Sequence, residues 1–184
     1  MPPASLFPIH LAIIGGSTRA DGAGAAITRW TLAQVAGDGP FTADLIESNA
    51  SAAADRNARL DRADAFIVVT PEYNRSFPAP LKALIDAARH EWQGKPVAFV
   101  SYGGVSGGLR AVEQLRLVFG ELHAAPIRDG VCFAHASDQL EAQELPLATE
   151  RAERAMATML AQLHWWASAL KSARRSVPYG RFAA

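Results

Sequence analysis

The chain has 184 residues, 18 basic against 18 acidic side chains, no formal net charge with histidine neutral, and 49% apolar residues. Such a neutral balance lacks the electrostatic footprint of a nucleic-acid or anionic-membrane binder. The single cysteine, Cys132, excludes an internal disulfide framework and any CxxC metal site.

The length fits one domain, able to bury about 70% of its unfolded surface without a staple. Residues 1–16 lack a basic n-region and a small-residue cleavage site, so they read as a first strand, not an export signal. No apolar run approaches the roughly 20 residues that cross a bilayer. The expectation is a cytoplasmic protein in a reducing compartment.

In chain order, residues 9–14 form a buried-strand candidate, followed by a Gly-rich turn and an Ala-rich helix over 24–36. Gly37-Asp38-Gly39-Pro40 stops that helix. A second strand spans 41–46, and the small polar stretch 47–57 reads as loop. The clearest strand is 65–69, where Phe-Ile-Val-Val shows no polar alternation, as a strand covered on both faces requires. Pro80 opens a helix with Leu81, Leu84, Ile85 and Ala88 on one stripe. The next strand is 97–100, and a helix from Gly108 carries Leu109, Val112, Leu115 and Phe119. A fifth strand falls near 124–127 or 131–133. The last helix has the longest stripe, from Met156 to Leu170. Residues 1–172 are thus expected to be one domain and 173–184 a basic tail, solvated and frayed because 171–184 carry four positive charges and no acid.

Repeated strand–helix alternation implies a doubly wound parallel α/β sheet with helices on both faces. Ligands of such sheets bind beyond the carboxyl ends of the strands. Three loops qualify. The first, residues 15–24, combines small residues, the hydroxyls of Ser17 and Thr18, and the Arg19 fork, and it enters a helix whose free N–H groups favour an anion. It has neither the P-loop pattern nor GxGxxG, and Thr70-Pro71 occupies the place of a receiver-domain aspartate, so a terminal monophosphate suits it best. The second loop, Thr70-Pro71-Glu72-Tyr73-Asn74-Arg75-Ser76-Phe77-Pro78, offers an aromatic, an amide and a proline to a flat ring. The third, Ser101-Tyr102-Gly103-Gly104-Val105-Ser106-Gly107-Gly108, lets backbone approach a ligand closely. Together they point to a mononucleotide with a planar ring.

From residue 9 to 133 the sequence resembles the flavodoxin-like NAD(P)H-dependent FMN reductases, a group that includes quinone, azo-dye and chromate reductases. Gly16-Ser17-Thr18-Arg19 is similar to the family's GSxR loop, residues 71–86 to its PEYNxSxPxxLKxxID segment, and residues 101–108 to its SxGGxxGG loop. The resemblance implies a five-stranded sheet in order 2-1-3-4-5, with FMN as cofactor and NADPH or NADH as hydride donor. It implies cofactor contacts at Ser17, Arg19, Gly22, Pro71, Glu72, Tyr73, Asn74, Ser101, Gly103 and Gly104. The family places a polar phosphate ligand where this chain has Gly22, and frequently an asparagine where it has Ala83.

Flavin hydride transfer needs no protein acid, so no catalytic side chain is assigned. Glu72 is expected in a structural hydrogen bond or intersubunit ion pair, and Tyr73 against the ring. The five histidines show no metal-ligand spacing, and Cys132 is expected to be a small buried apolar residue. The resulting reading is an FMN-dependent oxidoreductase acting on a quinone or similar small acceptor. The alternative is a flavodoxin-type electron carrier without a nicotinamide site, against which the neutral charge argues. The resemblance implies a homodimer or homotetramer, and Leu117 and Trp165, off the apolar stripes of their helices, suggest a second buried face for it.

Overall fold

The computed structural model describes residues 8–17, 22–36, 39–48, 53–136 and 149–181. Its two central strands, Ala65–Pro71 and Pro96–Tyr102, are buried at every residue, so helices must cover both faces. The strands are β1 (Ile9–Gly15), β2 (Phe41–Glu47), β3 (Ala65–Pro71), β4 (Pro96–Tyr102) and β5 (Ala125–Phe133). The helices are α1 (Ala23–Val35), α2 (Ala53–Arg62), α3 (Ala79–Asp86), α4 (Leu109–Glu121) and α5 (Glu150–Ser176).

All strand pairs are parallel and the order is β2-β1-β3-β4-β5, as expected. Successive side chains of β1, β3 and β4 alternate between two apolar layers. One layer packs Ile13, Ile67 and Val100 under α1 and α5, with Ile27, Met156, Met159 and Leu163. The other packs Ile14, Val68 and Phe99 under α3 and α4, with Leu81, Ile85, Leu115 and Phe119. This is the doubly wound, flavodoxin-like architecture.

Four local expectations need correction. The stretch read as loop contains the start of α2. Only Leu60 of that helix is buried, so it carries no apolar stripe to read. Polar contacts hold it instead: Arg59 donates to Asp44 of β2 (Nε to Oδ2, 2.8 Å), and buried Lys95 donates to the carbonyls of Leu60 and Asp61 at its C-terminal end (3.1 and 2.8 Å). The two alternatives for the fifth strand are one strand, interrupted by a register shift opposite Val97–Phe99. Cys132 is exposed rather than buried, because strand alternation at the sheet edge turns it away from the layer that holds Val131 and Phe133.

The tail is also corrected. The helix runs on to Ser176, and a 3-10 turn follows at Tyr179–Arg181. Lys171 and Arg174 converge on the Asp64 carboxylate (2.6 and 3.2 Å), which also accepts from the His10 backbone N–H (3.1 Å). Tyr179 stacks edge-on against His123. A basic run without acids in its own sequence neighbourhood finds its acid 107 residues away. All three charged side chains of this cluster are more than four-fifths buried. Removing the carboxylate would leave two largely buried cations without their partner. Asp64→Ala should therefore lower the unfolding free energy by about 2–4 kcal/mol, read from urea unfolding curves. A change below about 0.5 kcal/mol would restore the picture of a loose tail.

Candidate functional site

Because every strand is parallel, the exits of β1, β3 and β4 lie on one edge of the sheet, and with them the three motif-bearing loops. The first loop leaves β1 through Gly16, whose N–H donates to Val69 of β3 (2.8 Å). A Cβ on Gly16 would stand 2.9 Å from that carbonyl, so only glycine permits the approach. Ser17 follows. Arg19 falls at 18–21, outside the described residues. Gly22 caps α1 with φ 104° and makes no side-chain capping bond. A serine there would be strained, so the missing family side chain is tied to the backbone conformation at this place.

The second loop begins at Pro71, the last residue of β3. Tyr73 and Ser76 exchange two backbone hydrogen bonds of 2.9 Å around Asn74 and Arg75. Both central residues have positive φ, 50° and 65°, the signature of a tight two-residue hairpin. Gln114 of α4 braces it, accepting from Ser76 Oγ (2.7 Å) and donating to the Arg75 carbonyl (3.0 Å). Tyr73 is partly exposed at the tip.

Glu72 binds the second loop to the third. Its carboxylate accepts from Ser106 Oγ (2.6 Å), the Arg110 backbone N–H (3.2 Å) and the Arg110 guanidinium (3.1 Å). The expected structural hydrogen bond is therefore within the chain, and the side chain positions loops instead of reaching into the space between them. Ser101 is similar: its buried hydroxyl donates to the Gly107 carbonyl (2.8 Å) and shapes the third loop from inside. Gly107 and Gly108 have positive φ, and a Cβ on Gly108 would meet Tyr102 backbone at 2.8 Å. Gly103 lies against Glu72 and Gly108, whereas Gly104 faces open space, where an added Cβ would meet no atom within 4 Å.

Three residues here escaped sequence reasoning. Arg110 and Ser106 complete the Glu72 network, and nothing in their local pattern marks them. Glu47, at the end of β2, lays its carboxyl in the space that a Gly15 side chain would need, and burial raises its pKa. Among the described residues no group of three or more His, Cys, Asp or Glu is arranged to hold a metal.

The bare turn of Gly22 and Gly24 at the start of a 13-residue helix, followed across the edge by an aromatic hairpin and an open glycine, fits a phosphate at one end and a flat ring at the other. The family model of the NADPH-dependent FMN reductases matches residues 9–138. The chain belongs to that family. A stretch of 65 residues is 48% identical to an NAD(P)H-dependent FMN reductase of Schizosaccharomyces pombe, covering 35% of this chain and 32% of that protein. Over 93 residues it is 41% identical to a quinone reductase of Pseudomonas putida, covering 45% and 50%. The matches thus span half or less of these relatives' length. Among solved structures, the fold is similar to a flavoenzyme NAD(P)H:(acceptor) oxidoreductase of Paracoccus denitrificans (TM-score 0.70, 21% identity, 86% of this chain and 97% of the other). It is also similar to a Pseudomonas aeruginosa flavodoxin (TM-score 0.56, 23% identity, 81% and 99%).

The Glu72 network has a pH signature. Burial pushes the carboxyl up, but hydrogen bonds from Ser106 and from the Arg110 side chain and backbone, with the Arg110 charge, outweigh it and hold it below its ordinary 4.5. A carboxylate so held adds stability that is complete above its unfolded pKa and is lost as the pH falls through the folded one. Glu72→Gln should therefore destabilise at pH 7 and flatten the loss of stability that sets in as the pH falls below the ordinary 4.5. Urea midpoints across that range measure it; parallel profiles for the two proteins would contradict the assignment.

Proposed function

We propose that the chain is an oxidoreductase that uses bound FMN to pass electrons from NADPH or NADH to a quinone or similar small acceptor. What carries this reading is the convergence of the three motif-bearing loops on one sheet edge of a chain that belongs to the FMN reductase family. Bound FMN would supply the redox chemistry, taking a hydride from the nicotinamide and returning two electrons to the acceptor.

The chain's own residues place and shield that cofactor. Ser17, Arg19 and the α1 terminus at Gly22 would hold the phosphate. Pro71, Tyr73 and Asn74 would meet the ring from the second loop, and Gly103 with Gly104 would meet it from the third. Glu72 and Ser101 keep those two loops in register through the bonds already described. The protein would need to supply no proton donor, since the exposed Tyr73 tip and open Gly104 leave this edge of the sheet to solvent. Donor and acceptor would share the one opening between the second and third loops in turn, so ping-pong kinetics are expected. A cytoplasmic setting suits the single exposed cysteine, and no helix among the described residues is long and apolar enough to cross a membrane.

Mixing the purified protein with FMN and NADPH under air should produce oxidation of the nicotinamide at 340 nm; a protein that binds FMN without it would be a carrier. The phosphate assignment is tested separately. A charge-assisted hydrogen bond contributes about 1.5–3 kcal/mol, so Arg19→Ala should weaken FMN binding roughly 10- to 150-fold. Riboflavin, lacking the phosphate, should bind both proteins almost equally. An unchanged FMN dissociation constant would remove the phosphate from this loop.

Assembly follows from surface that a monomer would leave wet. Leu117 and Leu109 on α4 are 77% and 51% exposed, and Trp165 on α5 is 63% exposed with Trp166 edge-on beside it. We assign the α4 face to a second copy of the chain, the Trp165 face supplying a second contact in a tetramer. Light scattering at micromolar protein should give a dimer or tetramer, and Leu117→Glu should lower the mass. A monomeric parent would contradict this.

A further inference from the structure

Arg75 stands at φ 65°, a backbone conformation that suits glycine and strains an arginine. The conformation is held from both sides. Gln114 donates to the Arg75 carbonyl (3.0 Å), and the flanking Tyr73 and Ser76 exchange two backbone bonds of 2.9 Å. The family segment that this loop resembles specifies no residue here, so the arginine is particular to this chain. Its side chain is exposed and makes no hydrogen bond or ion pair among the described residues. A strained residue kept at the tip of a ligand-facing turn, with its charge unused inside the protein, points outward for a partner.

The charges of the two ring-side loops show what that partner must be. Residues 70–78 and 101–110 carry three charged side chains, Glu72, Arg75 and Arg110. Glu72 and Arg110 pair with each other (3.1 Å). The guanidinium of Arg75 is therefore the uncompensated charge of these loops, two residues from the ring-side aromatic Tyr73. A guanidinium fork matches phosphate oxygens and has nothing to grip on an uncharged ring. The two substrates of the proposed reaction differ in this feature: a quinone carries no phosphate, whereas a nicotinamide dinucleotide carries a diphosphate between its sugars. With the nicotinamide beside Tyr73, the diphosphate is the first anion met along the donor. The additional phosphate of NADPH lies on the far sugar.

We propose that Arg75 is a donor-binding residue, its guanidinium pairing with the diphosphate of the nicotinamide dinucleotide at the tip of the second loop. This rests on the reading of the chain as an enzyme that takes its hydride from NADPH or NADH. It adds that one cation serves both donors equally and separates them from the uncharged acceptor that shares the opening.

The test measures kcat/KM of the FMN-saturated protein with NADH, NADPH and dihydronicotinamide riboside, which keeps the ring and lacks the diphosphate. Arg75→Gly removes the cation and suits φ 65°, so the hairpin is retained. It should lower kcat/KM about tenfold for both dinucleotides and leave the riboside within about twofold, since an exposed charge-assisted bond falls at the low end of its range. The dissociation constant of NAD+, which cannot reduce the flavin, should rise by the same factor in calorimetry. Arg75→Lys should recover part of the loss and Arg75→Gln none. Added salt should weaken NAD+ binding to the parent more than to Arg75→Gly. An unchanged ratio of NADH to riboside in Arg75→Gly overturns the proposal, as does an equal loss with the riboside, which would make the arginine a shaper of the hairpin. A loss confined to NADPH, or one that falls on FMN affinity and spares NAD+, also overturns it. A parent that oxidises none of the three donors removes the nicotinamide reading itself, a separate failure from a parent whose activity ignores residue 75.

Discussion

In a parallel sheet covered on both faces, the first backbone N–H beyond a strand's end has little access to water and must find a protein carbonyl. Here each strand exit takes its partner from the next strand across. Ser48 N–H, leaving β2, donates to Gly15 of β1; Gly16, leaving β1, donates to Val69 of β3; Glu72, leaving β3, donates to Tyr102 of β4; Gly103, leaving β4, donates to Phe133 of β5. The four bonds, 2.8–3.2 Å long, run stepwise along the whole carboxyl edge. Each is modest when made, but a buried donor left without one costs about 1–3 kcal/mol. The loops therefore leave the sheet in directions tied to one another, and a ligand bridging the first and third meets a spacing determined by backbone.

Side chains then tighten what the backbone begins. The hairpin at Asn74-Arg75 holds two non-glycine residues at positive φ, each at a cost of order 1 kcal/mol or more. Asparagine tolerates this conformation; arginine does so less readily. Such geometry persists only where neighbours over-determine it, and Gln114 does so with one bond to Arg75 and one to Ser76. Glu72, one residue before the hairpin, is anchored to α4 and the third loop by three hydrogen bonds. The second loop is thus pinned on both sides of its aromatic tip. Rigidity of this kind pre-pays the ordering that a bound ring would otherwise demand.

The elements that the sequence made legible are those whose burial is written in local apolar pattern. β3 and β4 read as uninterrupted apolar runs, β1 as a run broken only by His10, and α4 and α5 as stripes, because their partners are the two hydrophobic layers. What escaped was held by distant polar contacts. α2 exists with one buried apolar residue because Asp44 and Lys95, from other elements, satisfy its charges and carbonyls. Lys171 and Arg174 looked like tail because their acid, Asp64, lies more than 100 residues away. At the site, motif residues marked the right loops but not their division of labour. Ser101 and Glu72 turn inward to hold the loops. Arg19, central to the phosphate reading, lies outside the described residues.

The magnitudes at the α1 terminus explain why placement matters there more than the number of donors. A helix N-terminus contributes about 0.3–1 kcal/mol toward an anion at an exposed site and up to about 2 in partly buried geometry. A neutral hydroxyl adds about 0.5–1.5, and a charge-assisted bond about 1.5–3. No one of these exceeds the others by so much that the rest can be misaligned, and each falls away steeply once donor and acceptor depart from about 3 Å. The relatives' usual extra donor cannot be added here without straining Gly22 at φ 104°. If FMN's phosphate is bound here as proposed, a cradle limited to few donors depends on each being held where it is.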